Sequence, residues 1–307
     1  MSKITTHAVI GLLCVYLMTS QLSVAAEENA ASNRRIAVDS QALTEMSGMT
    51  ASAIHNNRYW AHNDSGDRAR LFAFDGNGTV LSELKIKGAG AFDWEDMDSF
   101  RDGSDGFLLV GDIGDNMAFR PFTDVYLVKE PTELKSPTTE GQVLRHFILN
   151  NEDGPRDAEA LAVDGRARFV YILSKRDTHP RLYRFSLDAL PGQPVQLNYL
   201  GEVRSIPSVD KHQAQGTGRI SHFSPTAMAF SPEGDAAIIV TLRNTYYFPR
   251  ATNQTWLQAL NETPMVVKVK RLPQIEAGTF SRDGAQLLIG SEGIPAKIEI
   301  LPRPKSK

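Results

Sequence analysis

The feature that most constrains the fold of this chain is a short phrase of small and apolar residues that occurs five times. The copies lie at 46–52, 94–100, 158–164, 225–231 and 275–281, and each leads through a turn into an apolar segment. The equivalent positions are Ser47, Glu95, Glu159, Thr226 and Glu276, separated by 48, 64, 67 and 50 residues. Repeats of about 40 to 50 residues with four short strands each are typical of a β-propeller.

The segments between the copies predict an all-β fold, a β-propeller of five blades with four antiparallel strands each. Turns rich in Gly and Asp, such as 75–78, separate the apolar segments, as hairpins require. The last repeat offers only three strand segments, the third at 297–301. The segment at 35–39 is therefore predicted to supply the fourth strand and close the ring. A sixth blade within 196–219 is the alternative, although that segment lacks the repeated phrase.

The N-terminus has the pattern of a secretory signal peptide over residues 1–26. An apolar run at 8–18, too short to span a bilayer, is followed by small residues at 23–26 that suit cleavage. Residues 27–34 are predicted to be a flexible arm, and residues 35–307 a single propeller domain. We therefore expect the protein in the periplasm or outside the cell.

The composition excludes several classes of site and partner. The one cysteine, Cys14, lies in the predicted signal, so the mature chain would have no disulfide framework, cysteine nucleophile or thiolate metal site. The formal net charge is −3 and there is no basic tract, which argues against nucleic acid as a partner. No later apolar stretch is long enough to cross a membrane, and a monomer is expected.

Acidic residues occupy three of the five repeated positions, namely Glu95, Glu159 and Glu276. A propeller brings these positions to one mouth of its central channel, where carboxylates repel one another. The repulsion is relieved either by a bound cation or by protonation of some carboxylates, whose pKa values then rise. Oxygen-rich clusters favour hard cations, so calcium is the predicted cofactor. The alternative for any single acid is that it closes a turn.

A second group of oxygen ligands lies in the Gly-rich turn 111–116. Asp112, Asp115 and Asn116 fall within six residues, although the spacing and the missing terminal Glu distinguish the turn from an EF-hand. The predicted metal ligands are therefore Glu95, Asp112, Asp115, Asn116, Glu159 and Glu276.

Ligand-binding residues are predicted on the same face, in the loops between second and third strands. His62 and Asp64 lie in one such loop, and Lys175 and Arg243 would hold an anionic group of a ligand. Glu95 and Glu159 are also the candidates for a catalytic base. Ser47 and Thr226 interrupt the ring of Glu, so the acidic cluster is expected to cover only part of the channel mouth.

Five phrases of this sequence resemble a family of exported bacterial β-propeller proteins that is largely uncharacterised. They are WAHNDSGD at 60–67, DWED at 93–96, GDIGDN at 111–116, DAEAL at 157–161 and SEG at 291–293. The resemblance covers nearly the whole mature chain and implies a secreted or periplasmic propeller, without implying a reaction. The acidic channel is also remotely similar to that of calcium-dependent propeller hydrolases of the gluconolactonase-like and phytase-like groups.

Two functions fit these observations. The first is an exported propeller whose acidic, calcium-binding centre binds a small-molecule or protein ligand at the propeller face. The alternative is a metal-dependent hydrolase of small esters, lactones or phosphate esters, in which the cation would polarise a substrate oxygen or activate water. Open coordination positions would favour the enzyme, and a closed shell would favour the binding protein.

Overall fold

The computed structural model describes residues 33–190, 192–208, 221–270 and 272–305. The predicted signal peptide and most of the predicted arm lie outside the described residues, as does the segment 209–220. In the described chain the secondary structure consists almost entirely of strands, as predicted, with one short helix, α1 (Trp256–Leu260), capped by Thr255. No helix in these described ranges combines the length and apolar character needed to cross a membrane.

The strands after β1 (Arg34–Val38) form five consecutive antiparallel units. Unit 1 contains β2 (Met46–Ala51), β3 (Arg58–Asn63), β4 (Arg70–Asp75) and β5 (Val80–Lys87). Unit 2 contains β6 (Trp94–Asp102), β7 (Asp105–Asp112), β8 (Thr123–Lys129) and β9 (Thr138–Asn151). Unit 3 contains β10 (Ala158–Asp164), β11 (Phe169–Ser174), β12 (Arg181–Ser186) and β13 (Val195–Glu202).

The last two units differ in how they obtain their fourth strand. Unit 4 contains β14 (Pro225–Phe230), β15 (Ala236–Thr241), β16 (Thr245–Pro249) and β17 (Met265–Val267). Unit 5 contains β18 (Ile275–Phe280), β19 (Gln286–Ser291) and β20 (Ala296–Pro302), and β1 completes it. β1 pairs antiparallel with β20 from Arg34 opposite Ile300 to Val38 opposite Ala296. The predicted pairing of the N-terminal strand with the last repeat is confirmed.

The first strands of the five units lie beside one another in cyclic order. β2 contacts β6, β6 contacts β10, β10 contacts β14, β14 contacts β18, and β18 contacts β2. These are the innermost strands, and the other three strands of each unit follow outward by antiparallel pairing. Such an arrangement around a central channel is that of a β-propeller. The innermost strands begin at one mouth of the channel, here called the acidic mouth, and end at the other, here called the far mouth.

Apolar clusters fill the spaces between neighbouring units. Each cluster takes its side chains from two units that are adjacent in the cyclic order, including the pair formed by units 5 and 1. Pairs of residues that share a cluster across two units are Trp60 and Met97, Leu109 and Leu161, Tyr171 and Ile239, Ile238 and Leu287, and Ile298 and Met49. Burial of these faces holds the units together without backbone pairing between the innermost strands.

Strand β9 is much longer than the predicted segment at 144–149. Its first part runs parallel to β5 and its last part parallel to β13, so that units 1, 2 and 3 share one twelve-stranded sheet. The first half of β9 is rich in polar residues, and buried and exposed side chains alternate only weakly along it. Such a segment does not have the apolar pattern of a strand, which is why the sequence shows only its second half.

Each innermost strand contains a β-bulge at the repeated position. The pairing register shifts once in every unit, and the residues skipped by these shifts are Ser47, Glu95, Glu159, Thr226 and Glu276. A bulge leaves its extra residue out of the ladder and changes the direction of that side chain. The five repeated positions are therefore structurally equivalent, and all lie at the acidic mouth.

Candidate functional site

The acidic mouth holds two groups of carboxylates that share one member. Oxygens of Asp64, Asp93 and Glu95 all lie within 4.8 Å of one another, and so do oxygens of Asp64, Glu276 and Glu292. We call these five residues the acidic cluster. They come from units 1, 2 and 5, which are neighbours around the channel.

The strand order explains why these acids meet. Glu95 and Glu276 are the bulge residues at the start of β6 and β18, and Asp93 directly precedes β6. Asp64 and Glu292 directly follow β3 and β19, the second strands of their units. Because the second strand is antiparallel to the first, it ends at the mouth where the first begins.

Gly114 provides the space in which two of the carboxylates lie. A Cβ atom at this position would collide with Oε1 of Glu95 and with Oδ2 of Asp93. The Gly114 amide also donates to the Asp93 carbonyl at 3.2 Å, which holds the loop against these acids. The glycine is therefore required by the packing of the site.

Glu95 is the most constrained member of the acidic cluster. Its side chain is buried, with the residue 4% exposed, and it makes no hydrogen bond or ion pair within the described part of the chain. Burial raises the pKa of Glu95 well above its usual value, and Asp64 raises it further, whereas Lys175 lowers it. A buried carboxylate without a partner is costly unless a cation or a proton neutralises it.

Two further members of the acidic cluster also have raised pKa values. Burial, followed by repulsion from Asp64, raises the pKa of Asp93 to about 6. Burial, followed by a hydrogen bond and repulsion from Glu276, raises the pKa of Glu292 to about 8. The cluster therefore retains protons near neutral pH when no cation is bound.

Glu159 occupies the equivalent bulge in unit 3 but lies outside the acidic cluster. Its carboxylate forms a buried ion pair with the ammonium group of Lys175. The Lys175 amide donates to the Asp157 carbonyl at 3.0 Å, which fixes the turn that carries the lysine. Because Lys175 neutralises Glu159, neither side chain is free for the metal, catalytic or ligand-binding role predicted for it.

Asp112 and Asp115 organise the loop behind the site. Asp112 accepts the amides of Phe92 and Asp93 at 2.8 and 3.1 Å and pairs with Arg120 at 2.9 Å. Asp115 accepts the amides of Phe119 and Arg120 at 3.0 and 2.9 Å. These oxygens are occupied by protein donors, so they position Asp93 and are not brought into the acidic cluster.

Asn116, the third member of the predicted loop ligands, is bonded to an arginine. Its side-chain oxygen accepts from Arg176, which also pairs with Asp157. The residue is exposed at the outer edge of the loop. The Gly-Asp-rich turn is therefore built by arginine and amide contacts, and Arg176 occupies the side-chain oxygen of Asn116.

His62 and Arg243 occupy different environments on this face. His62 is fully buried, its Nδ1 contacts the Asn63 carbonyl at 2.8 Å, and its ring packs edge-on against Trp94. Burial lowers its pKa, so the imidazole is neutral. Arg243 is exposed in the turn after β15, and its side chain makes no ion pair with any described residue.

The two bulges without an acid serve the packing of neighbouring units. The Ser47 hydroxyl donates to the Glu95 carbonyl at 2.6 Å, and the Thr226 hydroxyl donates to the Ile275 carbonyl at 3.1 Å. Each bond joins one innermost strand to the next around the channel. This explains why the ring of Glu is interrupted at these positions.

Two buried carboxylates within the channel were not predicted as functional. Asp96 accepts the amides of Leu161 at 2.8 Å and Met228 at 3.1 Å, which belong to units 3 and 4. Asp98 accepts the Val163 amide at 2.8 Å. The sequence signal was present, since acids at alternate positions of a strand lie on one face. Burial raises the pKa of Asp96 well above its usual value and the pKa of Asp98 to about 7. The hydrogen bonds from these amides act in the opposite direction and lower both pKa values.

Neither a protein-family model nor a curated protein matches this chain. Solved structures do match it, among them the crystal structure of RRP9 WD40 repeats. That match has 11% sequence identity and a TM-score of 0.41, and it covers 84% of this chain and 67% of that chain. The fold assignment rests on the strand order and the cyclic packing, and this likeness adds nothing to the functional argument.

We predict that Asp96→Ala destabilises the protein by about 3 kcal/mol, because two amides of other units lose their acceptor and each costs about 1–3 kcal/mol. Urea unfolding measures the effect. The matched control is Asp105→Ala, which removes an exposed ion pair with Lys129 and should cost less than about 1 kcal/mol. Equal losses in the two variants would contradict the assigned role of Asp96.

We also predict that the metal-free protein loses stability as the pH rises towards 8. The pKa of Glu292 is about 8 in the folded state, against an ordinary value of 4.5, so the folded protein keeps a proton that the unfolded chain releases. The free energy of unfolding therefore falls across this interval. Melting temperatures measured in chelator should fall as the pH rises. Glu292→Gln should flatten this dependence on pH, and the exposed control Glu133→Gln should preserve it. A slope unaffected by Glu292→Gln would show that another group causes it.

Proposed function

We propose that this protein is an exported, five-bladed β-propeller whose acidic mouth binds calcium and, beside it, a small ligand or a partner. The observation that carries the proposal is the buried, unpaired carboxylate of Glu95 within a cluster of five acids. Calcium takes six to eight oxygen ligands in flexible geometry, which suits carboxylates contributed by several loops. Glu95, Asp93 and Asp64 would hold the cation, with Glu276 and Glu292 completing its environment.

The charge balance around the cluster supports a cation. Lys175 is the positive group that lowers the pKa of Glu95, but its ammonium is paired with Glu159. Arg120 is likewise paired with Asp112. Both cations thus already have anionic partners, so protons or a bound cation must compensate the five acids of the cluster.

The number of blades and the export of the protein are parts of the same proposal. Five four-stranded units, their cyclic contacts and an apolar cluster between each pair support a closed ring of five blades. Export is supported by the N-terminal sequence, with the mature chain beginning near Glu27. N-terminal sequencing of the natural protein tests this point, and an intact Met1 on the mature form would contradict it.

An exposed apolar patch beside the acidic mouth supports binding of a ligand or partner there. Phe92 is 64% exposed, and Met117, Phe119 and Phe122 are 81%, 63% and 45% exposed. Phe92 directly precedes Asp93, and the others lie in the loop that follows Gly114. Large apolar side chains exposed together are unusual on a monomer and are typical of interaction surfaces.

A metal-dependent hydrolase is the second candidate. The specific observation in its favour is the pKa of Asp93, raised to about 6, which is the range in which a carboxylate can act as a general base near neutral pH. A panel of ester, lactone and phosphate-ester substrates, assayed with and without calcium, tests it. Calcium-dependent turnover that Asp93→Asn abolishes would favour the enzyme over the binding protein.

The calcium site predicts that chelator lowers the melting temperature and that added calcium restores it, because a ligand that binds only the folded state stabilises it by mass action. Glu95→Gln should reduce this response strongly. Glu133→Gln, an exposed change in an outer loop, should leave it unchanged. Differential scanning fluorimetry across a calcium titration gives both measurements.

The Glu159→Gln variant is a control for Glu95→Gln, because Glu159 is a buried acid that is not a proposed calcium ligand. It should lower the melting temperature at every calcium concentration, because Lys175 loses its partner, yet preserve the shift that calcium causes. A melting temperature indifferent to calcium in the unmodified protein, or a Glu95→Gln variant that responds fully, would refute the cation site.

A further inference from the structure

The far mouth of the channel contains a cavity of about 540 Å³. Its lining comes from all five units, from the ends of the innermost strands and the turns that follow them. Because an innermost strand of six residues spans about 20 Å, this cavity is well separated from the acidic cluster. Its volume falls within the range of about 300–1,000 Å³ that is typical of small-molecule sites.

Three arginines line this cavity, and their partners differ. Arg166 of unit 3 pairs with Glu233 of unit 4 at 2.6 Å. Arg101 of unit 2 and Arg282 of unit 5 have no carboxylate within ion-pair distance among the described residues. Since units 5, 1 and 2 are consecutive around the channel, one side of the far mouth carries two positive charges that the protein does not neutralise.

The two unpaired guanidinium groups are held in place by neutral acceptors. Arg101 donates from Nε to the Gly103 carbonyl at 2.8 Å. Arg282 donates from Nε to the Ala53 carbonyl at 3.1 Å and from Nη1 to the Asn56 side chain at 2.6 Å. These bonds orient the planar groups and leave other N–H donors available, which suits them to bind an oxyanion.

Aromatic side chains form part of the remaining wall of the cavity. Phe100 lines it from unit 2, Phe230 and Trp256 from unit 4, where their rings stack, and Phe280 from unit 5. Asp164 accepts from the Trp256 indole at 2.8 Å, so that this carboxylate is engaged at the wall. An apolar body therefore has aromatic surfaces to pack against, and Arg101 and Arg282 match an anionic group on it.

The floor of the cavity confirms this orientation. Asp98 lines it and accepts bonds from the Val163 amide, the Ser99 amide and the Thr50 hydroxyl. A carboxyl group at the floor disfavours an anion there and directs it towards the rim. The cavity thus combines an anion-binding side with aromatic wall surfaces and an acidic floor.

We propose that the far mouth is a second binding site, which takes a small molecule with an apolar body and one oxyanion, a carboxylate or a phosphate, held by Arg101 and Arg282. The site is independent of the acidic mouth and of the calcium proposed there. Its anion-binding residues, Arg101 and Arg282, are ones that the repeated phrase and the metal hypothesis leave unexplained.

Two probes of the same shape test the proposal by isothermal titration calorimetry, 3-phenylpropanoate for a carboxylate and phenyl phosphate for a phosphate. At least one of the two probes should bind saturably, and the one that binds more tightly identifies the preferred oxyanion. The neutral amide of 3-phenylpropanoate should not bind. Arg101→Gln and Arg282→Gln should each weaken binding about tenfold or more, since a charged hydrogen bond contributes about 1.5–3 kcal/mol.

Arg166→Gln is the matched control, because Arg166 lines the same cavity but is already paired with Glu233. It should bind the probes as the unmodified protein does. Among the described residues, the side-chain hydrogen bond of Arg101 goes to its own hairpin. The Arg101 variant therefore tests the site even if loss of Arg282 destabilises the junction of units 5 and 1. Glu95→Gln should also bind normally, which separates this site from the acidic mouth. No saturable binding of either probe at millimolar concentration, or equal weakening by Arg166→Gln, would overturn the proposal.

Discussion

The interaction on which the rest of the structure depends is the acceptance of backbone amides by Asp96 within the channel. An innermost strand pairs on one edge only, so the amides on its other edge need acceptors from elsewhere. Asp96 receives the Leu161 and Met228 amides and so joins units 2, 3 and 4. Asp98 does the same for Val163. Two carboxylates on one strand thus satisfy the inner edges of its neighbours, and the apolar clusters between units can form around them.

This filling of the channel also separates its two mouths. Asp96 is fully buried between the bulges at one end and the cavity at the other. The acidic mouth collects carboxylates from units 1, 2 and 5, and the far mouth has unpaired arginines from units 2 and 5. The same units therefore carry negative charge at one end and positive charge at the other. The two mouths are suited to ligands of opposite sign, and binding at one does not require the other.

The repeated phrase was sufficient to predict the propeller, because a bulge at one position of every innermost strand requires small and apolar neighbours each time. It also predicted that Glu95 and Glu276 lie at one mouth. It did not show that Lys175 pairs with Glu159, since that contact depends on a turn from the next strand. The turn 111–116 was misleading in a similar way, because Arg120, which neutralises Asp112, follows at a distance that spacing alone does not relate to it. Equivalent backbone positions thus do not guarantee equivalent charge environments.

Glu95 and Glu159 differ in whether the protein supplies a cationic partner for the carboxylate. Both are buried bulge residues at equivalent positions, and unit 3 provides a lysine for its acid, whereas unit 2 places Asp93 and Gly114 beside Glu95. A chain selected for stability alone would neutralise both acids or replace them with hydroxyls, as it does with Ser47 and Thr226. Glu95 instead lies within 4.8 Å of carboxylate oxygens of Asp93 in its own unit and of Asp64 in unit 1. Buried carboxylates without a cationic partner destabilise the isolated fold. A bound cation that supplies the missing positive charge would explain why they are there, and Gly114 leaves room for the carboxylates that would hold it.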